Sequence, residues 1–171
     1  MKQDNELLAI DFSKSFASKC TTVEEVKERR ATIEALGNKL AEGVEQGLLP
    51  VAELQVTNRF AGGVYIRELF MPAGNIIIGK IHTTQFFNVL VSGQCLIATT
   101  EGILHIRAPY TFVSEPGSQK CGFCITDVVW QTIHATDSTD VDEIVSGLTT
   151  DSYDKLKTDF ALDELGGQLC Q

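Results

Sequence analysis

The residue types able to do chemistry are Arg67, His82, Lys120, the pair Cys121 and Cys124, Trp130 and His134. Each group suggests a different reaction. Cys121-Gly122-Phe123-Cys124 has the spacing of a thiol redox motif or of half a zinc site. His82 and His134 are candidate metal ligands, or neutral imidazoles in a binding pocket. Arg67 and Lys120 together would make a cavity suited to a carboxylate or phosphate, because a guanidinium grips such groups through two hydrogen bonds. Trp130 would give that cavity an apolar wall.

The backbone carrying these residues decides among the chemistries. A redox cysteine needs a helix N-terminus to lower its thiol pKa. The segment Ile125-Thr126-Asp127-Val128-Val129-Trp130 is β-forming instead. Residues three apart in a strand point to opposite faces, so the two thiols cannot chelate one ion unless Gly122 makes a tight turn. Cys20, Cys95 and Cys170 are isolated from any second closely spaced pair. Structural, reduced cysteines are therefore expected.

His82 ends a strand whose alternate positions are Ile76, Ile78 and Lys80, which predicts that it lines a barrel mouth or packs there. His134 shares a strand face with Trp130 and Thr132; it either completes a pocket with His82 or is a hydrogen-bonded barrel histidine. His105 alternates with Ile103 and Arg107 and is read as solvent-facing. Arg67 and Glu68 interrupt an apolar strand on opposite faces, so at least one points inward. A salt bridge with a neighbouring acid is the competing reading for Arg67. No Gly-x-Ser-x-Gly, Walker loop or Gly-x-Gly-x-x-Gly occurs.

Thr22 precedes Glu25 by three, a capping-box spacing, and Val26, Ile33, Leu36, Leu40 and Val44 recur at helical intervals up to Gly47. One amphipathic helix is predicted over 22–46, either docked on its own barrel or serving a partner. From Gly63 to His134 about eight short β-rich runs alternate with turns such as Pro72-Ala73-Gly74, Ser92-Gly93 and Pro116-Gly117. That is the pattern of a sandwich or barrel, with no intervening helix for a parallel sheet. Asp140, Asp142 and Glu143 form the acidic first turn of a short helix to about Ser146, and a second follows Thr150 and stops at Gly166-Gly167. The expected organisation is a helical extension over 1–56, a barrel over 57–136 and a helical extension over 137–171.

Fourteen Lys and Arg against 23 Asp and Glu leave a net charge of −9, which argues against binding a nucleic-acid backbone. The apolar runs are strand-sized, so no membrane association is expected, and the polar N-terminus shows no signal peptide.

"GKIHTTQFFNVLVSGQ" and "APYTFVSEPGSQK" resemble the two motifs of the cupin superfamily. The run from "FAGGVYIRELFMPAGNIIIGKIH" to "VVWQTIHAT" is further similar to small cupin-like proteins encoded by bacteriophages. The resemblance covers 57–137 and implies a mainly β, cupin-like jelly-roll barrel with an N-terminal helix and two short C-terminal helices. In cupins two histidines and a glutamate of the first motif, and a histidine of the second, commonly hold a metal. Here His82 keeps the first position; the others fall on Thr84, on Gln85 or Phe86, and near Lys120. Further positions rich in histidine in the phage group carry Asn58 and Phe86.

The resemblance therefore implies no cofactor, with a divalent metal on His82 and His134 the disfavoured alternative. It implies a non-catalytic phage assembly or attachment module, in the virion or host cytoplasm, partnered by copies of itself and other phage proteins. Two alternatives stand beside it. One is a binder of a small anionic metabolite or nucleotide through His82, Arg67, Lys120, Trp130 and His134; the other is a metal-dependent cupin enzyme.

Overall fold

The computed structural model describes residues 22–100 and 102–160, with the side chains of 157–160 excepted. Helix α1 spans Val23–Glu45 and begins with the expected reciprocal cap: Glu25 N donates to Thr22 Oγ1 at 3.2 Å, and Thr22 N donates to Glu25 Oε2 at 2.7 Å. Its buried stripe, Val26, Ile33 and Leu36, lies on its own barrel, where Ile33 and Leu36 meet Ala98 and Cys121, with Leu40, Ile76 and Ile78 partly buried around them. Val44, foreseen as part of the stripe, is exposed.

The apolar stripe also contains two arginines whose spacing fits it but whose charge would favour solvent. Arg29 is buried and donates from Nη1 to the Thr100 carbonyl at 2.8 Å. Arg30 is buried with its guanidinium 4.0 Å from the Tyr153 ring centroid, a cation–π contact that ties α1 to the C-terminal segment.

The barrel consists of β1 (Gln55–Ala61), β2 (Val64–Met71), β3 (Ile76–Ile78), β4 (Ile81–His82), β5 (Phe86–Ser92), β6 (Gln94–Thr99), β7 (Gly102–Arg107), β8 (Tyr110–Ser114), β9 (Cys121–Cys124) and β10 (Val128–Ala135). One sheet has the order β1-β2-β10-β5-β8 and the other β3-β9-β6-β7. Every pairing in them is antiparallel. The chain thus crosses repeatedly between two four-stranded sheets, the jelly-roll arrangement, and β1 adds an edge strand to the first. The sequence reading missed β1 and fused β3 with β4.

Alternation places the core between the sheets. Met71, Leu90, Cys95, Ile97, Ile106, Cys124, Val128 and Trp130 form one buried cluster, each such side chain contributing about 1.5–3 kcal/mol when fully withdrawn from water. The β5–β6 turn needs Gly93, whose φ is +91° and where a Cβ would collide with the Asp127 carbonyl.

Helix α2 (Val141–Leu148) is capped by Asp140, whose carboxylate accepts from Asp142 N and Glu143 N. A short strand, β11 (Thr149–Thr150), then pairs with β4, setting Thr149 against His82 and Thr150 against Ile81. Helix α3 occupies Tyr153–Phe160; the remainder of that expected helix, to Gly166, lies outside the described residues. No helix among the described residues is long and apolar enough to cross a membrane.

Candidate functional site

His82 is fixed through its backbone from two directions. Its N–H donates to the Ser118 carbonyl at 3.0 Å, and its carbonyl accepts from Gly117 N at 2.7 Å. On the other side β11 runs alongside, and Thr83 N donates to the Leu148 carbonyl at 2.9 Å. The imidazole lies against Phe86, ring centroids 3.9 Å apart, and 5.4 Å from the His134 ring at an interplanar angle of 8°. Phe86 and Tyr65 stack on His134 at 4.8 and 6.1 Å. The sequence thus brings both histidines together by strand alternation: Trp130, Thr132 and His134 share one face of β10, and Phe86, Asn88 and Leu90 one face of β5.

A cavity of about 130 Å³ opens below this aromatic stack. Leu69, Met71, Ile77, Ile97, Phe86 and Trp130 give it apolar walls; its polar groups come from Lys80, His82, Asn88, Lys120 and Thr132. Asn88 is buried and donates from Nδ2 to Ser114 Oγ at 2.9 Å, which holds its amide in place. Lys120 reaches in from the residue before β9, with Nζ 4.7 Å from the Phe86 centroid and 5.8 Å from that of Phe112. Phe112 in turn meets Trp130 edge-on, centroids 5.8 Å apart at 82°. Aromatic faces stabilise the ammonium as it leaves bulk water.

The electrostatics of the site follow from this packing. Burial, then the Lys120 charge, then His134 push the His82 pKa down to about 3. Burial and Lys120 lower His134 to about 4. Both imidazoles are neutral near pH 7. Their Nδ1 atoms are buried without a hydrogen-bond partner among the described residues, a cost that a bound donor or acceptor would offset. No Asp or Glu lines the cavity.

Arg67 lies elsewhere. It follows the inward parity of Tyr65 and Leu69 on β2, opposite Thr132, but lines a second, outer groove bounded by α2, β11 and α3 rather than the Lys120 cavity. Its neighbour Glu68 points outward, taking Arg59 Nη2 at 2.9 Å and Gln131 Nε2 at 2.6 Å. The joint Arg67–Lys120 pocket expected from sequence is therefore two compartments. Asn88 and Lys80 were missed as lining residues, and Phe112 as the ring packed behind Trp130 and Lys120. Period-two counting from Phe86 would have found Asn88; Phe112 requires the β5–β8 register.

The cysteine question resolves by geometry. Cys121 faces outward to α1, within the Ile33 and Leu36 cluster, while Cys124 faces the inter-sheet core. Cys124 stands directly across from Cys95, and burial, then Cys124, push the Cys95 thiol up to about 12. Burial likewise raises Cys121 to about 11 and lifts Cys124. These are inert thiols at neutral pH. Cys20 and Cys170 lie outside the described residues. His105 is exposed, as its strand parity predicted.

A metal of the kind common in cupin barrels needs three or more nitrogen, sulfur or carboxylate donors. Among the described residues no group of three His, Cys, Asp or Glu side chains is placed to hold one. His82 and His134 supply two nitrogens, with an ammonium beside them. The donor set does not fit.

No protein-family model matches the sequence, and no curated protein matches it. Several solved structures similar to the chain carry cupin names. An RmlC-like cupin from Shewanella frigidimarina is 13% identical over 56% of this chain and 84% of its own, with a TM-score of 0.45. The Schizosaccharomyces pombe Cnp3 cupin domain is 16% identical over 52% of this chain and 65% of its own, TM-score 0.44. A Bordetella pertussis cupin domain is 17% identical over 52% of this chain and 98% of its own, TM-score 0.41.

Proposed function

We propose that the barrel is a metal-independent, non-catalytic receptor for a small organic anion, one with a short apolar body and a carboxylate. The observation that carries this reading is the Lys120 ammonium held at the wall of an apolar cavity that no carboxylate lines. The volume sets the body at about the size of benzene, which fills an apolar cavity of roughly 150 Å³. Lys120 supplies the charge partner, the walls supply desolvation, and the neutral imidazole of His82 offers a hydrogen bond without adding a second cation. A dry ion pair of this kind is strong because both partners lie in a low-dielectric site.

The cavity offers no activated nucleophile. The cysteines are buried thiols with raised pKa, and the histidines are poor bases because their pKa values lie near 3 and 4. Binding, rather than turnover, is what this arrangement favours.

Trp130 is the single tryptophan of the chain and lines the cavity, so intrinsic fluorescence reports occupancy directly. Titration with sodium butyrate at constant ionic strength is expected to give a saturable change in emission. Emission that drifts linearly, or matches a sodium chloride control, would contradict the proposal.

A further inference from the structure

We infer that the ligand carries a second anionic group, which the groove outside the barrel mouth receives through Arg67. This inference rests on the receptor reading above and specifies the ligand class as a dianion with an oxyanion at each end, such as a dicarboxylate. The groove is about 460 Å³ and is bounded by α2, β11 and α3, segments that follow the jelly roll in sequence.

Three observations place the second charge here. Arg67 is half-buried, on the inward parity of β2, yet its guanidinium has neither an ion pair nor a side-chain hydrogen bond among the described residues. A fork of fixed N–H donors in such a position is matched by a carboxylate or phosphate held through two bonds. Lys80 lines both the inner cavity and the outer groove, and Thr132 of the inner cavity stands opposite Arg67 in the β2–β10 register. The two compartments therefore adjoin, and a ligand anchored at Lys120 projects its far end toward Arg67.

The third observation is charge. Arg67, Lys80 and Lys155 line the groove against Asp142 and Asp151. Asp151 pairs with Lys80 at 3.2 Å. The charges sum to +1 in a chain whose net charge is −9, so the groove is a local positive site on an acidic protein, which favours an anion entering it.

The test is calorimetric titration of butyrate, glutarate, adipate and pimelate into the full chain and into Arg67→Gln, at constant ionic strength. At least one diacid is expected to bind about tenfold tighter than butyrate, because a second charge-assisted contact is added. Arg67→Gln is expected to remove that advantage and leave butyrate affinity unchanged; Arg67→Lys should restore part of it. Equal affinities of butyrate and every diacid, or a diacid advantage that survives in Arg67→Gln, would overturn the inference while leaving the inner site standing. If butyrate itself does not bind, the inner reading falls, and inorganic phosphate decides the groove alone. Phosphate binding lost in Arg67→Gln would sustain the outer anion site; no phosphate binding, or binding unchanged in the variant, would overturn it.

Discussion

Lowering the pH from 7 to 4 is expected to destabilise the fold by on the order of 3–5 kcal/mol through His82 and His134. An unfolded histidine titrates near 6.5, whereas these two titrate at about 3 and 4 in the folded protein. Between those values the unfolded chain binds more protons than the folded one. Stability therefore rises with pH across this window, and it is lost as pH falls from about 6.5 toward the folded values. The physical cause is the same for both rings: burial withholds water from the charged imidazolium, and Lys120 repels it. The expected loss is set below the full sum because the two rings and Lys120 interact, so their titrations are not independent.

Urea midpoints at pH 7 and pH 4.5 measure the effect. The variant His82→Gln with His134→Gln should show a much shallower dependence in that interval, because glutamine has no proton to gain. An undiminished slope in that variant would show that the acid response arises elsewhere, for instance from carboxylates such as the half-buried Glu68, whose pKa is lowered by its bonds to Arg59 and Gln131.

Replacing Lys120 by Met should weaken carboxylate binding by about a hundredfold, since losing one partner of a desolvated, hydrogen-bonded charge pair costs roughly 2–5 kcal/mol. Methionine keeps much of the apolar stem and the contacts with Phe86 and Phe112, so folding should survive. The same change has an independent signature. Without the ammonium, His82 and His134 should both titrate at higher pH, because Lys120 is one of the causes that depress each. Histidine ring resonances followed by NMR read this shift without any ligand. Unchanged histidine titration together with unchanged affinity would remove Lys120 from the account.

Much of the fold was legible because its signals are local. The Thr22–Glu25 cap and the stripe from Val26 to Leu36 define α1 to within a residue at each end, and the turn residues around Gly93 and Pro116-Gly117 mark strand ends. Alternation also assigned His105 outward, Cys121 and Cys124 to opposite faces, and His134 to the face of Trp130 and Thr132. What failed were features that depend on partners distant in sequence. Buried Arg29 and Arg30 follow helical spacing but carry charge, and only the Thr100 carbonyl and the Tyr153 ring explain their place. β1 is a polar-looking segment, exposed throughout, that exists because β2 offers it a hydrogen-bonding edge. β11 is two residues long and is defined by β4 alone.

The site was half legible for the same reason. His82, Lys120, Trp130 and His134 fall together because each lies at or next to a strand and follows its parity. Arg67 has the right parity as well, but the C-terminal segment folds over the barrel mouth and turns its surroundings into a separate groove. No pattern within β2 encodes that division.

The most direct test of the receptor reading compares butyrate with butyramide, its neutral counterpart of nearly equal shape, by calorimetry on the same protein at pH 7.5. A cavity organised around the Lys120 ammonium should bind butyrate at least about tenfold more tightly than butyramide, with one ligand per chain. Equal affinity for the two, or no heat from either, would contradict a charge-selective site in this barrel.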